Sequence, residues 1–246
     1  MNIAQIEHAA FRACPVADQQ ELTGIILRSN GGYTKRANSA NLLANLDTDQ
    51  DDVIGACETF FKQREQRSIF RLISGYQPEG MDSSLEAKGY ELVDPTYVLL
   101  QPLGAAEGEQ ARIMSLPADE WIEQFYRISD EDDGQRTAHL HMLKKIETDC
   151  CLAVIQDSTG AVVSMGVGVV DDGYFGIFNI VTSLSAQRKG YSFALISDLL
   201  RWARQLNAHT AYVQVKQENE GALSLYKKLG YSEGYNYWYR VGGSDV

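Results

Sequence analysis

The chain's 246 residues are enough for two small domains or one large one. Hydrophobic residues make up 44%, as in packed globular proteins, and no run of about 18 apolar residues occurs, so no membrane span is expected. A net charge of −11 argues against general nucleic-acid binding, which needs a basic footprint.

In chain order, residues 1–12 mix Glu7, His8 and Arg12 with alanines and lack the long apolar core of a secretory leader. An acidic run, Asp47-Thr-Asp-Gln-Asp-Asp52, precedes a helix expected over 53–64 and a strand expected over 68–73. Leu85 to Tyr90 reads as a helix end, with Gly89 as its stop, and 96–100 as a further strand. Pro102, Gly104 and Gly108 then break the pattern, which sets a boundary near 101–110 and two domains, 1–105 and 111–246. The cysteines are Cys14, Cys57, Cys150 and Cys151. Cys150 and Cys151 point to opposite faces of a strand and match no metal-ligand spacing. Reduced thiols of a cytoplasmic, metal-free protein are expected.

Beyond the boundary, Leu116-Pro117-Ala-Asp-Glu-Trp121 opens a helix that Ile122, Phe125, Tyr126 and Ile128 continue. A second helix is expected over 135–146. The acidic stretch Asp130-Glu-Asp-Asp133 lies between them; it and the run at 47–52 alike read either as solvated loops or as an attraction for a cationic amine. Strands follow at 151–156, 162–170 and 174–182, divided by turns at Asp157-Ser-Thr-Gly160 and Asp171-Asp-Gly173. The next stretch is Gln187-Arg188-Lys189-Gly190-Tyr191-Ser192, which leads into a helix over 193–206. A strand ending in a glycine-bearing loop and turning into a helix offers free N–H groups and the positive end of the helix dipole, a site for an anion such as a diphosphate. Arg188 and Lys189 add positive charge there. After a strand at 212–215, Asn219 is an expected N-cap. Ala222, Leu225, Tyr226 and Leu229 form an apolar helical stripe, and Gly230 an expected helix stop.

The loop at 187–192, followed by Asn219-x-x-Ala222-x-x-Leu225-Tyr226 and Gly230-Tyr231, resembles the two signature motifs of the GNAT N-acetyltransferases over residues 111–246. The resemblance implies an α/β (α+β) fold, a central, mixed, mostly antiparallel sheet flanked by helices. It also implies acetyl-CoA as co-substrate and an amine of a small molecule or peptide as acceptor. Carried over residue by residue, it assigns Gln187, Arg188, Lys189, Gly190, Tyr191 and Ser192 to the diphosphate. Ile180, Val181 and Thr182 fall to the pantetheine arm and Asn219 to the cofactor face of its helix. Tyr226 would be the acid that protonates the departing thiolate. Ser192 stands where the family has glycine or alanine. Many members carry a glutamate base on the strand at 174–182; here there is no carboxylate, and Gly176 falls near its place. His139 and His141 are further titratable groups, and the base is left unassigned. Aligning Gly89-Tyr90 with Gly230-Tyr231 sets Leu85 opposite Tyr226, so the first domain reads as a degenerate GNAT-like half without a cofactor loop. Its Gly31-Gly-Tyr-Thr-Lys-Arg36-Ala-Asn-Ser39 segment resembles the first part of two-part bacterial GNAT proteins. Two functions follow: an acetyltransferase, or a non-catalytic acetyl-CoA-binding sensor.

Overall fold

The structure, a computed structural model, describes residues 2–22, 24–43, 49–105 and 111–243. Asp47 and Thr48 of the first acidic run, and positions 106–110 of the expected boundary, lie outside the described residues. In chain order the elements are α1 (Ile3–Arg12), β1 (Asp18–Leu22), β2 (Ile25–Ser29), β3 (Ser39–Leu42), α2 (Gln50–Lys62), β4 (Ile69–Ile73), α3 (Met81–Ala87) and β5 (Glu91–Pro102). There follow β6 (Met114–Ser115), α4 (Ala118–Ile128), α5 (Arg136–Lys144), β7 (Asp149–Gln156), β8 (Val162–Asp171), β9 (Tyr174–Thr182), α6 (Tyr191–Gln205), β10 (Thr210–Lys216), α7 (Glu220–Lys228) and β11 (Ser232–Val241). Met114–Ser115 forms a two-residue strand paired antiparallel to β7. Among the described residues no helix is long and apolar enough to cross a membrane.

By compactness the chain divides into two interleaved units. One comprises the described residues of 1–15, 99–214 and 220–232; the other, those of 16–98, 215–219 and 233–246. Relative to a cut at 101–110, the two terminal segments are exchanged.

In the first unit the strand order is β10-β9-β8-β7-β6, with β9 and β10 parallel and the remaining pairs antiparallel. Nine of the ten residues of β8 are buried, as suits a central strand covered on both faces. The turn between β8 and β9 has Asp172 at φ 48° and Gly173 at φ 78°, the two positive values that a type I′ hairpin requires. The preceding turn is held by Asp157, whose Oδ1 accepts from Thr159 N–H (2.8 Å), Thr159 O–H (2.6 Å) and Ala161 N–H (3.2 Å). Helix α6 packs Leu195, Ile196, Leu199, Leu200 and Ala203 against this sheet. Helix α4 buries Trp121, Ile122 and Phe125, and Trp121 Nε1 donates to Ala153 O at 3.3 Å.

In the second unit the order is β1-β2-β3-β4-β11, antiparallel except for the parallel pair β3/β4. Its core includes Ile54, Phe61, Phe70, Leu72 and Leu85. Arg240 donates to Asp82 from Nε (2.8 Å) and Nη2 (2.9 Å); this bond, against the opposing effect of burial, holds the Asp82 carboxyl below its ordinary pKa. The Gly31–Ser39 segment is tied by Asn38, whose Oδ1 accepts from Asn30 N–H (2.7 Å) and Gly32 N–H (3.0 Å).

Candidate active site

Strand β9 begins regularly and then changes. Its parallel pairing with β10 runs from Tyr174–Thr210 to Ile177–Val213 and stops there. On the other side Val167 pairs with Phe178 but Met165 pairs with Val181, so Asn179 and Ile180 together oppose Gly166. This is a β-bulge, with Asn179 at φ 51° in the left-handed region that asparagine tolerates better than most residues. Gly166 makes room for it: a Cβ there would lie 2.2 Å from Ile180 Cδ1. Among the described residues the register with β10 thus ends at Ile177, and residues 179–182 lie beyond it. Their side facing away from β8 offers backbone N–H and C=O groups of the kind an extended ligand pairs with. Ile180, Val181 and Thr182 all lie in this stretch and are partly exposed.

Thr182 leads directly to the loop. Ser192 Oγ lies 2.7 Å from Thr182 Oγ1, which lies 2.8 Å from Ser164 Oγ, which donates to Val181 O at 3.2 Å. With one proton per hydroxyl, the last bond fixes the direction of the others: Ser192 donates to Thr182, and Thr182 to Ser164. A serine in the family's glycine or alanine position thus has its side chain turned back to β9, while its N–H stays at the helix start. Gln187 Nε2 also donates to Thr182 O, at 3.4 Å. The structure brings Thr182, Gln187 and Ser192 into one hydrogen-bonded group.

At the head of α6, Gly190 has φ 87° and no side chain caps the helix. The first helical bond is Ala194 N–H to Gly190 O, 3.0 Å, so the N–H groups of Tyr191, Ser192 and Phe193 precede it. A Cβ on Gly190 would meet nothing within 4 Å, which leaves the space over the helix start open. Arg188, itself at φ 63°, and Lys189 are exposed beside it.

Tyr226 lies in α7 and is 4% exposed, its ring edge-on to Tyr231 at 5.3 Å between centroids. Burial raises its phenol above the ordinary tyrosine range, so the hydroxyl is protonated at neutral pH. Asn219 directly precedes α7, and its N–H donates to Lys216 O at 3.0 Å. It falls in the 215–219 segment of the other compact unit.

Gly176 has no room for a carboxylate. An added Cβ would lie 2.5 Å from Tyr212 Oη, 2.6 Å from Tyr212 Cζ and 2.7 Å from Phe178 Cε2. Gly176→Ala is expected to destabilise the fold by about 1–3 kcal/mol through overpacking. A urea unfolding curve measures this; an unmoved midpoint would show that the two rings yield freely.

The sequence also drew no role for Asn179, though a lone amide within the apolar run Ile177-Phe-Asn-Ile180 was a visible signal. Its Nδ2 lies 3.3 Å from Nε2 of His139, a hydrogen bond when that nitrogen carries no proton. His139 is fully buried on α5, edge-on to Trp121, Phe125 and Tyr126. It is thus a packed histidine that braces the bulge, whereas His141 is exposed. Asn179, Ile180 and Val181 also form one wall of a cavity of about 360 Å³.

Comparisons with known proteins bear on the family and the fold. A family model described as "Probable histone acetyltransferase Rv0428c C-terminal" matches residues 1–240. YobR of Bacillus subtilis (strain 168), described as an uncharacterized N-acetyltransferase, is 28% identical over 98% of both chains. The fold is similar to that of a GCN5-related N-acetyltransferase from Kribbella flavida, with a TM-score of 0.73 and 16% identity over 98% of this chain and 95% of that one. It is also similar to a tandem GNAT protein from the clavulanic acid biosynthesis pathway, with a TM-score of 0.57 and 12% identity over 98% of this chain and 89% of that one. The chain belongs to the Rv0428c C-terminal family within the GNAT superfamily and is a GNAT-type acetyltransferase.

Proposed function

We propose that the chain transfers an acetyl group from acetyl-CoA to a primary amine, of either a small molecule or a peptide or protein. The GNAT fold implies acetyl-CoA as co-substrate, and two features of the chain fit it. The parting of β9 from β10 after Ile177 supplies an edge for an amide-bearing arm, and the uncapped start of α6 supplies an open anion site. The first of these carries the reading, because an ordinary central strand would remain paired. When bound, the co-substrate supplies the acyl thioester. In this reading the N–H groups at 190–193, with Arg188 and Lys189, hold the diphosphate, and residues 180–182 orient the arm. A backbone N–H near Ile180 or Val181 polarises the carbonyl. Asn219 holds the start of α7, and Tyr226 Oη supplies the proton taken up by the sulfur.

The family description names a histone acetyltransferase, which makes a protein lysine one member of the acceptor class. A cytoplasmic location fits the four free cysteines, and neither metal nor nucleic acid enters this reading. The test is release of free thiol from acetyl-CoA with a panel of amines. A second reading, a non-catalytic acetyl-CoA sensor, draws on the lack of space for a carboxylate at Gly176. Tight binding with no turnover on any amine would favour it.

The same proposal makes residues 1–105 a degenerate GNAT-like half without a cofactor site, since Leu85 is a wholly buried core residue where the family has tyrosine. Titration calorimetry is expected to give one CoA per chain. Two equivalent sites would show that this half retains a cofactor site.

A further inference from the structure

The two faces of β9 are covered differently. Phe175 points to one face and meets Trp202 of α6, with 6.1 Å between ring centroids. Tyr174 and Gly176 point to the other, because side chains alternate along a strand. Helix α1 packs on that second face, where Tyr174 Oη donates to Gln5 Oε1 at 2.7 Å. The helix is formed by the first residues of the chain, yet it belongs to the same compact unit as β9. Two residues beyond Gln5 stands Glu7. It is 0% exposed, and among the described residues it is the one acidic residue enclosed in this way. Glu7 and Cys14 are seven residues apart and so share a stripe of the helix. Cys14 Sγ lies 3.3 Å from Met142 Sδ of α5. One turn before Met142 is His139, which meets Asn179 at the bulge. Glu7 is therefore turned into the layer between β9 and α5, on the Gly176 side of the sheet. The other buried residues of α1 are Ile6, Ala9, Ala10 and Phe11, so packing alone gives no reason for a carboxyl group there, and enclosing one is costly. On the same face Tyr212 Oη fills the space in front of Gly176. A hydroxyl thus stands where a strand carboxylate would have projected, and a helix brings a carboxyl group to that face.

We propose that Glu7 receives the proton that the acceptor amine loses before it attacks, relayed by the hydroxyl of Tyr212. This rests on the acetyltransfer reading above. Because Glu7 is closed to solvent, the proton reaches it through another group. The ammonium gives a proton to Tyr212 Oη while that hydroxyl passes its own to the Glu7 carboxylate. The hydroxyl ends with one proton, and the amine is neutral. A C–N bond then forms as the C–S bond breaks, the nitrogen gives up a second proton, and the sulfur gains one. The products are an N-acetyl amide, a thiol and the proton on Glu7, which returns to solvent as they leave. Glu7 touches neither acceptor nor cofactor in this step. Its effect is therefore confined to acceptors that arrive as ammonium ions.

The experiment uses the full chain with acetyl-CoA and amines matched in shape but not in basicity. Each alkylamine that wild type turns over is paired with its analogue fluorinated beside the amine-bearing carbon, as 2,2,2-trifluoroethylamine pairs with ethylamine. The alkylamine is an ammonium at neutral pH; the fluorinated amine is already neutral there and needs no base. In Glu7→Gln the single-turnover rate with the alkylamine is expected to fall by about 10²–10⁴-fold relative to wild type, while that with the fluorinated amine stays within about threefold. Tyr212→Phe should show the same split, and the KM for acetyl-CoA should not move in either variant. A residue that only packs the core would slow both amines alike. Equal losses for the two amines therefore overturn the proposal, and turnover by wild type leaves the acetyltransfer reading standing. A split in only one of two folded variants overturns the relay. If melting curves show that Glu7→Gln does not fold, the split in Tyr212→Phe decides alone. If wild type turns over no amine, both readings fail together.

Discussion

Gly190→Asp is expected to bind CoA at least about a hundredfold more weakly than wild type in a calorimetric titration, a loss of about 2.7 kcal/mol. The expectation follows from charge rather than from crowding. Gly190 is at φ 87° and its missing Cβ would touch nothing within 4 Å, so the side chain would enter the space proposed for the diphosphate. A carboxylate about 4 Å from a phosphate charge costs roughly 4 kcal/mol at an effective dielectric of 20, before screening by salt. The left-handed backbone adds a cost of its own for any side chain. Gly190→Asn separates the two effects, because asparagine has the shape of aspartate, tolerates this backbone comparably and carries no charge. The asparagine variant is expected to lose only a few-fold in affinity. Equal affinity for the two variants would show that the start of α6 does not hold the diphosphate.

Much of the first unit was legible because its signals are local. The Asp172-Gly173 turn announces a hairpin, and both positions take the positive φ values that dipeptide favours. The apolar run of β8, the glycine at the head of α6 and the stripe of α7 are each written within about fifteen residues. The second unit was less legible where its elements break the usual pattern. β1 is a polar, mostly exposed edge strand, and β3 is buried although two of its four residues, Ser39 and Asn41, are polar. Asn41 satisfies its amide by donating to Ser39 O at 2.9 Å and Ile26 O at 3.2 Å, partners that no periodicity reveals. The place of α1 beside β9 is a tertiary fact of the same kind.

The candidate site divides along the same line. The loop at 187–192 is contiguous in sequence and was read directly. The bulge at Asn179 depends on the register between two strands, and a single strand does not encode its register. The acidic stretch at 130–133 was visible as composition, but its place beside β9 comes from the packing of α4 against that strand, which composition does not encode. The missing carboxylate at Gly176 was visible too, while the reason, the ring of Tyr212 across the strand pair, was not.

Tyr226→Phe is expected to lower kcat by about 10²–10⁴-fold, the usual worth of general acid catalysis, while KM for acetyl-CoA stays nearly constant. Phenylalanine keeps the edge-on contact with Tyr231 and removes only the hydroxyl. Burial raises the phenol's pKa, so a proton is present on Oη throughout the neutral range, as a donor requires. The same raised pKa gives the sign of its pH dependence. Stability from the buried neutral phenol is complete below about pH 10, the value of an unfolded tyrosine, and is lost as pH rises above it. An acid used in this way therefore sets no limb on the rate profile between about pH 6 and 9. The decisive measurement is kcat with the acceptor that the amine panel identifies, together with a pre-steady-state check that chemistry limits the rate. If kcat is unchanged and the melting temperature falls, Tyr226 is a core residue and the proton reaches the sulfur from water.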